Sequence, residues 1–157
     1  MDETVLRMAE REDRPIRLAD GVAVWGDLDV VQTVTVQAGR FVITSLERDE
    51  PRIDFTTDDA EALNRYLLVD IGESWRLRHR LPIVLTDQYP SVPEGFDVRP
   101  ESSWYVSLSW TAEDGRTVTA GRFRLGAERR FANVCRVPLP VLEAALLDDS
   151  GRPQPLF

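Results

Sequence analysis

No lysine occurs among the 157 residues: all 19 basic side chains are arginine, set against 27 carboxylates. An all-arginine basic set points to a GC-rich coding sequence, such as an actinobacterial one, before it points to any chemistry. The net charge of -8 and a pI near 4.7 disfavour nucleic acid and anionic lipid as partners and leave a basic or neutral protein as the easier one. Cysteine is nearly absent too. Cys135 alone cannot form an internal disulfide, and it excludes thiolate-rich zinc and iron-sulfur sites. No apolar run approaches the roughly 18 residues of a membrane span. The opening MDETVLRMAEREDRP lacks the basic start and apolar middle of a signal peptide, so a cytoplasmic location is expected.

The single histidine narrows the chemistry further. His79 lies among Arg76, Arg78 and Arg80, which disfavour its cationic form, so no nucleophile–histidine pair of the usual kind is expected. Phosphate-cradling strings of the GxxxxGK[ST] or GxGxxG type are missing, as are HExxH and EF-hand spacings. The carboxylate pairs Asp58-Asp59 and Asp148-Asp149 fall at helix ends, where capping and solvation account for them. The expectation is therefore no catalytic residue, no metal and no cofactor.

What is present is an ordinary globular balance, 43% apolar and 29% charged, at a length that suits one domain. Residues 1–14 read as a charged helix or tail closed by Pro15, and residues 15–157 as a single α+β domain. PIRLADGVAVWGD and DVVQTVTVQAGRFVITSLE each divide at a glycine-bearing turn, Ala19-Asp20-Gly21 and Ala38-Gly39, into two strands. After a charged turn RDEPR, a short strand Ile53–Phe55 is expected. Then Thr56–Pro82 carries a helix start signal, an apolar stripe of Ala60, Leu63, Leu67, Ile71 and Trp75, and cations in its last turns before Pro82.

Four prolines between residues 82 and 101 preclude a regular helix there, and so long a connection is usually functional or ordered by a partner. SSWYVSLSWTAEDGRTVTAGRFRLG reads as a hairpin about Asp114-Gly115, with Trp104, Val106, Leu108 and Trp110 facing the core. FANVCRVP reads as a further strand, and LPVLEAALLDDSG as a helix with Pro140 in its first turn and Gly151 at its stop. The order strands, helix, strands, helix has no repeating βαβ unit. It predicts an antiparallel sheet of hairpins packed by one long central helix and a shorter C-terminal helix.

DFTTDDAEALNRYLLVDIGESWRLRHRLP, the strand GRFVITSLERDEP before it, and the closing VPLPVLEAALLDDSGRPQPLF resemble a bacterial polymorphic-toxin immunity family. That family is the one associated with the antitoxin of the tuberculosis necrotizing toxin. The resemblance spans about two thirds of the chain and rests on helix-and-strand patterning. It implies a small α+β antitoxin that binds a cognate secreted NAD-glycohydrolase toxin domain, covers its active site and turns nothing over. Physical reasoning alone then selects the partner-facing candidates Asp87, Tyr89, Glu94, Phe96, Asp97 and Glu101 in the long connection, aromatic anchors ringed by acid. Two other readings stand beside it. A secretion-associated chaperone or adaptor would offer a client protein an apolar groove. A small carboxylate enzyme would bring acids together in a pocket with displaced titration.

Overall fold

The computed structural model describes residues 1–26, 30–84 and 91–149. Along the chain run α1 (Glu3–Arg11), β1 (Arg17–Ala19), β2 (Val22–Gly26), β3 (Val30–Gln37), β4 (Arg40–Glu47), β5 (Glu50–Thr57) and α2 (Ala60–Arg78). They are followed by β6 (Phe96–Pro100), β7 (Tyr105–Thr111), β8 (Thr117–Arg124), α3 (Ala127–Val134) and α4 (Leu139–Leu147). The strands form one antiparallel sheet of eight in the order β1-β2-β3-β4-β5-β8-β7-β6. This is the expected α+β domain, with a long central helix and a C-terminal one.

The first hairpins close as their sequences predict, through two-residue turns whose both members take positive φ: Asp20 and Gly21, then Ala38 and Gly39. The third turn differs from expectation. It is confined to Arg48 and Asp49, at φ 50° and 65°, so β5 begins at Glu50 and takes in Pro51. A proline is tolerated there because β8 pairs with β5 only at Thr56 and Thr57, leaving the first half of β5 with a free edge.

One face of the sheet carries the core. Ala23, Val34, Ile43 and Phe55 lie in register across four strands, and Trp110 with Val118 and Leu108 with Ala120 continue that face. All are buried in one cluster with residues of all four described helices. Val42 points the other way; it is 5% exposed yet outside that cluster. Two local expectations fail. FANVCRVP is not a strand: Glu128, Phe131, Val134 and Cys135 recur at three and four, and they bury one side of α3 and its cap. The extent of α4 also differs, since it stops at Leu147, ahead of Gly151, which lies outside the described residues.

α2 opens on Asp59 rather than Thr56. The Asp59 carboxylate accepts from the Ala62 N–H at 2.7 Å, and a neighbouring Thr57 hydroxyl accepts from the Asp59 N–H at 3.2 Å. It closes with Arg80 in the left-handed region, φ 57°, while the Leu81 N–H returns to the Arg76 carbonyl at 2.9 Å. The cations of this last turn do more than complement a dipole. Arg78 reaches the buried Glu12 at the end of α1, donating to its carboxylate and to its carbonyl. Arg76, 1% exposed, donates to the carbonyls of Pro82 at 2.6 Å, Leu146 at 2.9 Å and Asp148 at 2.6 Å. One guanidinium thus ties α2 to the C-terminal end of α4, which the α4 dipole favours.

Arg76→Ala is expected to cost about 3 kcal/mol or more of unfolding free energy, because it strands buried acceptors as well as removing charge-assisted bonds. Arg76→Lys should recover little of this, since an ammonium lacks the planar fork. Urea unfolding of the two variants checks both; a loss below about 1 kcal/mol for alanine would show that water or rearrangement satisfies those carbonyls.

Candidate functional site

β5 and β8 pair only through Thr56 with Gly121 and Thr57 with Ala120; on the Glu50 side of β5 they splay apart. Irregularities on both sides of the fork enforce this. The β4–β5 register shifts between Ile43 and Thr44, and the β7–β8 register shifts between Val106 and Leu108, with Arg122 at φ 69°. Below the fork lies a cavity of about 370 Å³, walled by Tyr66, Phe123 and Phe131, with Asp54 and Asp70 among its polar groups.

Each side chain there is held in its own way. Tyr66 stacks on Phe55 with ring centroids 4.0 Å apart. Asp54 binds Arg52 at 2.6 Å through one oxygen, while its other oxygen is buried with no hydrogen-bond partner. Asp70 faces into the cleft from the middle of α2 and accepts from Gln32. Among the described residues no ion pair reaches it. The flanking arginines are engaged elsewhere: Arg130 with Glu73 at 2.9 Å, and Arg122 over the Tyr105 ring at 4.0 Å. Asp70 lines the cleft and keeps an exposed surface. Partial withdrawal of its carboxyl from solvent, and then the charge of Asp54, raise it above the ordinary carboxylate range. Burial, with Asp70 and Asp54 adding to it, raises the Tyr66 phenol as well.

Beside the cleft mouth the turn after β6 projects Trp104, which is 77% exposed. It is not the core residue that alternation from Val106 predicts, because β7 begins only at Tyr105. Backbone bonds fix the turn: Glu101 and Ser102 donate to the Tyr105 carbonyl at 2.8 and 3.1 Å, and Leu125 donates to the Trp104 carbonyl at 3.1 Å. Leu125 is itself 73% exposed.

Residues 14–154 match the family described as Immunity protein 61. The chain belongs to that family. No curated protein matches it in sequence. Among solved structures, Rv3902c from M. tuberculosis is similar in fold, with a TM-score of 0.76 at 16% identity, over 98% of this chain and 92% of that one.

In this Immunity protein 61 member the long connection resolves differently from the sequence reading, since its last residues form the edge strand β6. Glu94 and Asp97 stand exposed at that edge, Asp97 paired with Arg99 at 2.7 Å. Phe96 packs inward, 5.5 Å from Trp110 and beneath the Arg136 guanidinium. Glu101 accepts from the Arg122 N–H at 3.3 Å and lies against Gly121, where a Cβ would collide with its carboxylate. Asp87 and Tyr89 fall outside the described residues.

Of the acid pairs singled out earlier, Asp58-Asp59 has structural partners. Asp58 accepts from the Thr119 N–H and Asp59 binds Arg116. Cys135 is buried and its thiol is pushed up to about 12. His79 stacks on Trp75 at 4.4 Å. Among the described residues no group of acidic, histidine or cysteine side chains has the makings of a metal site. Asp70 was readable: it is the one carboxylate within YLLVDIG, a stretch buried on more than one side of the helix.

A carboxyl that is harder to ionise in the folded chain favours folding fully only below its unfolded pKa. That contribution is lost as pH rises through the raised folded value. Asp70→Asn should therefore be more stable than the parent at pH 7, with the difference closing as pH falls toward about 4. Thermal melts across that interval test this; an asparagine variant that is less stable at neutral pH would show the carboxylate to be well compensated.

Proposed function

We propose that this protein neutralises a cognate toxin by binding it stoichiometrically, and that it docks through the end of the sheet comprising the fork between β5 and β8, the Trp104 turn and the β6 edge. Family membership supports toxin neutralisation, and Trp104 carries the reading to this surface. A tryptophan exposed on a turn fixed by its own backbone is an anchor with little left to lose in conformational entropy on binding. Around it, Glu94 and Asp97 supply negative charge, and Asp87, Tyr89 and Phe96 belong to the same connection. Glu101 contributes by holding Arg122 and the turn.

We further propose that the toxin is an NAD-glycohydrolase, as the sequence resemblance implies, and that its active site is covered in the complex. Blocking such an enzyme stoichiometrically calls for nanomolar affinity or better, about -12 kcal/mol. The acidic surface of this chain would speed encounter with a basic toxin face.

The test is isothermal titration and stopped-flow mixing with a purified NAD-glycohydrolase toxin domain, which the neighbouring coding sequence is expected to supply, alongside an NAD-hydrolysis assay. Trp104→Ala should weaken binding by about 2 kcal/mol, roughly thirtyfold, without lowering the melting temperature. Glu94→Arg with Asp97→Arg should slow association and flatten its salt dependence, leaving dissociation nearly unchanged. Wild-type affinity for the tryptophan variant would move the interface elsewhere, and a bound toxin that keeps hydrolysing NAD would refute occlusion.

A further inference from the structure

β6 ends the sheet, and among the described residues no strand lies beyond it. Its ladder fixes which backbone groups face outward. Glu101 donates to the Tyr105 carbonyl at 2.8 Å, which marks a hydrogen-bonded pair. The two-residue alternation of an antiparallel ladder then turns the backbone groups of Asp97 and Arg99 toward β7, and those of Phe96, Val98 and Pro100 away from the sheet. The outer edge thus offers the N–H and carbonyl of Phe96 and of Val98, and the carbonyl of Pro100, which has no N–H to leave unpaired. The opposite edge is protected by its brevity, since β1 is three residues long and β6 five. Asp97 and Arg99 are exposed on the sheet face turned away from the helices, and Val98, opposite Leu108, is exposed on the other.

We infer that β6 pairs antiparallel with β6 of a second copy of this chain, about a two-fold axis through Val98. Register decides the occupant. With Val98 opposite Val98, Asp97 of each copy stands across from Arg99 of the other, so the Asp97–Arg99 pair within each strand becomes part of a square of alternating charges. The two Val98 residues exchange N–H and carbonyl, and each Phe96 N–H reaches the other copy's Pro100 carbonyl, so every outward donor of the strand is used. An axis one residue away sets Asp97 against Asp97 or Arg99 against Arg99, and like charges directly opposite are unfavourable. Two residues away, an axis at Phe96 sets Asp97 against Gly95, and one at Pro100 leaves the central pair without a donor. The axis stands perpendicular to the sheet, so the two sheets join into one and both helical layers lie on the same side. β6 also belongs to the toxin-docking surface proposed above, so toxin and second copy exclude one another there; the dimer does not rest on that reading.

Sedimentation velocity on the full chain, without toxin, tests this. A contact confined to one short strand belongs to the small, weak class of interfaces, so a dissociation constant of about 10 to 100 μM is expected. Asp97→Arg and Arg99→Asp should each weaken the dimer at least about tenfold, because each sets like charges across the axis. An equimolar mixture of the two single variants should recover it, since every charge at positions 97 and 99 then meets its opposite on the other chain. Hydrogen exchange locates the contact: the Val98 N–H should gain protection as the dimer forms, while those of Asp97 and Arg99, held by β7, are protected throughout. A chain that stays monomeric across the range from about 1 to 500 μM would overturn the inference. So would single variants that dimerise like the parent, a mixture that does not recover, or a dimer whose Val98 N–H exchanges as in the monomer. Failure here leaves toxin neutralisation standing, and a toxin that does not bind leaves the dimer standing.

Discussion

A guanidinium shut away from water determines how the helical layer is assembled. Arg76 sits where α2, α4 and the strand-bound side of the chain meet, and the three carbonyls it binds belong to the segment after α2 and to the end of α4. Those carbonyls need a donor, because a helix end turned inward exposes acceptors that nothing in a hydrocarbon core can satisfy. Gly72, one turn earlier, lets α4 approach: a Cβ there would stand 2.7 Å from a Leu146 methyl. Close approach and charge are coupled. The glycine brings the α4 end near enough to be bound, and the arginine makes that nearness tolerable.

Two ions on one helix meet opposite fates. Arg76 donates to three carbonyls, whereas Asp70, less than two turns away, meets no cation among the described residues, and withdrawal from solvent beside Asp54 makes it harder to ionise. The splayed strands explain why the site is there. A sheet paired along the full length of β5 and β8 would have closed over the middle of α2, and Asp70 would have had no opening to face.

The parts of this fold that were legible in sequence are those set by local chemistry. Gly21 and Gly39 locate their turns, Pro140 begins a helix, and the spacing of Leu63, Leu67 and Ile71 fixes the inner side of α2. The site was not legible, for reasons that can be traced residue by residue. Trp104 continues the alternation of Val106 and Leu108 on paper, but a strand's period means nothing one residue outside the strand. FANVCRVP is too short to separate a period of two from one of 3.6, and the decisive residue, Glu128, precedes the window. The fork depends on bulges that place Asp54 and Arg122 off register, and bulges leave little trace in one sequence.

The absence of lysine, a compositional accident at first sight, acquires physical content at these places. Arg76 uses Nε and one terminal nitrogen toward different carbonyls, and Arg78 does the same toward the carboxylate and carbonyl of Glu12. Arg122 lies flat on Tyr105. None of these arrangements suits a point charge on a flexible stem. Their common effect is rigidity: α1 and α4 are fixed to α2, and the rim of the cleft is set before anything enters it. A surface ordered in advance loses less entropy on association, so the same contacts yield tighter binding. The planar cation that secures the helices is thus also what keeps the fork, the tryptophan turn and the two cleft carboxylates in a fixed relation for a partner to meet.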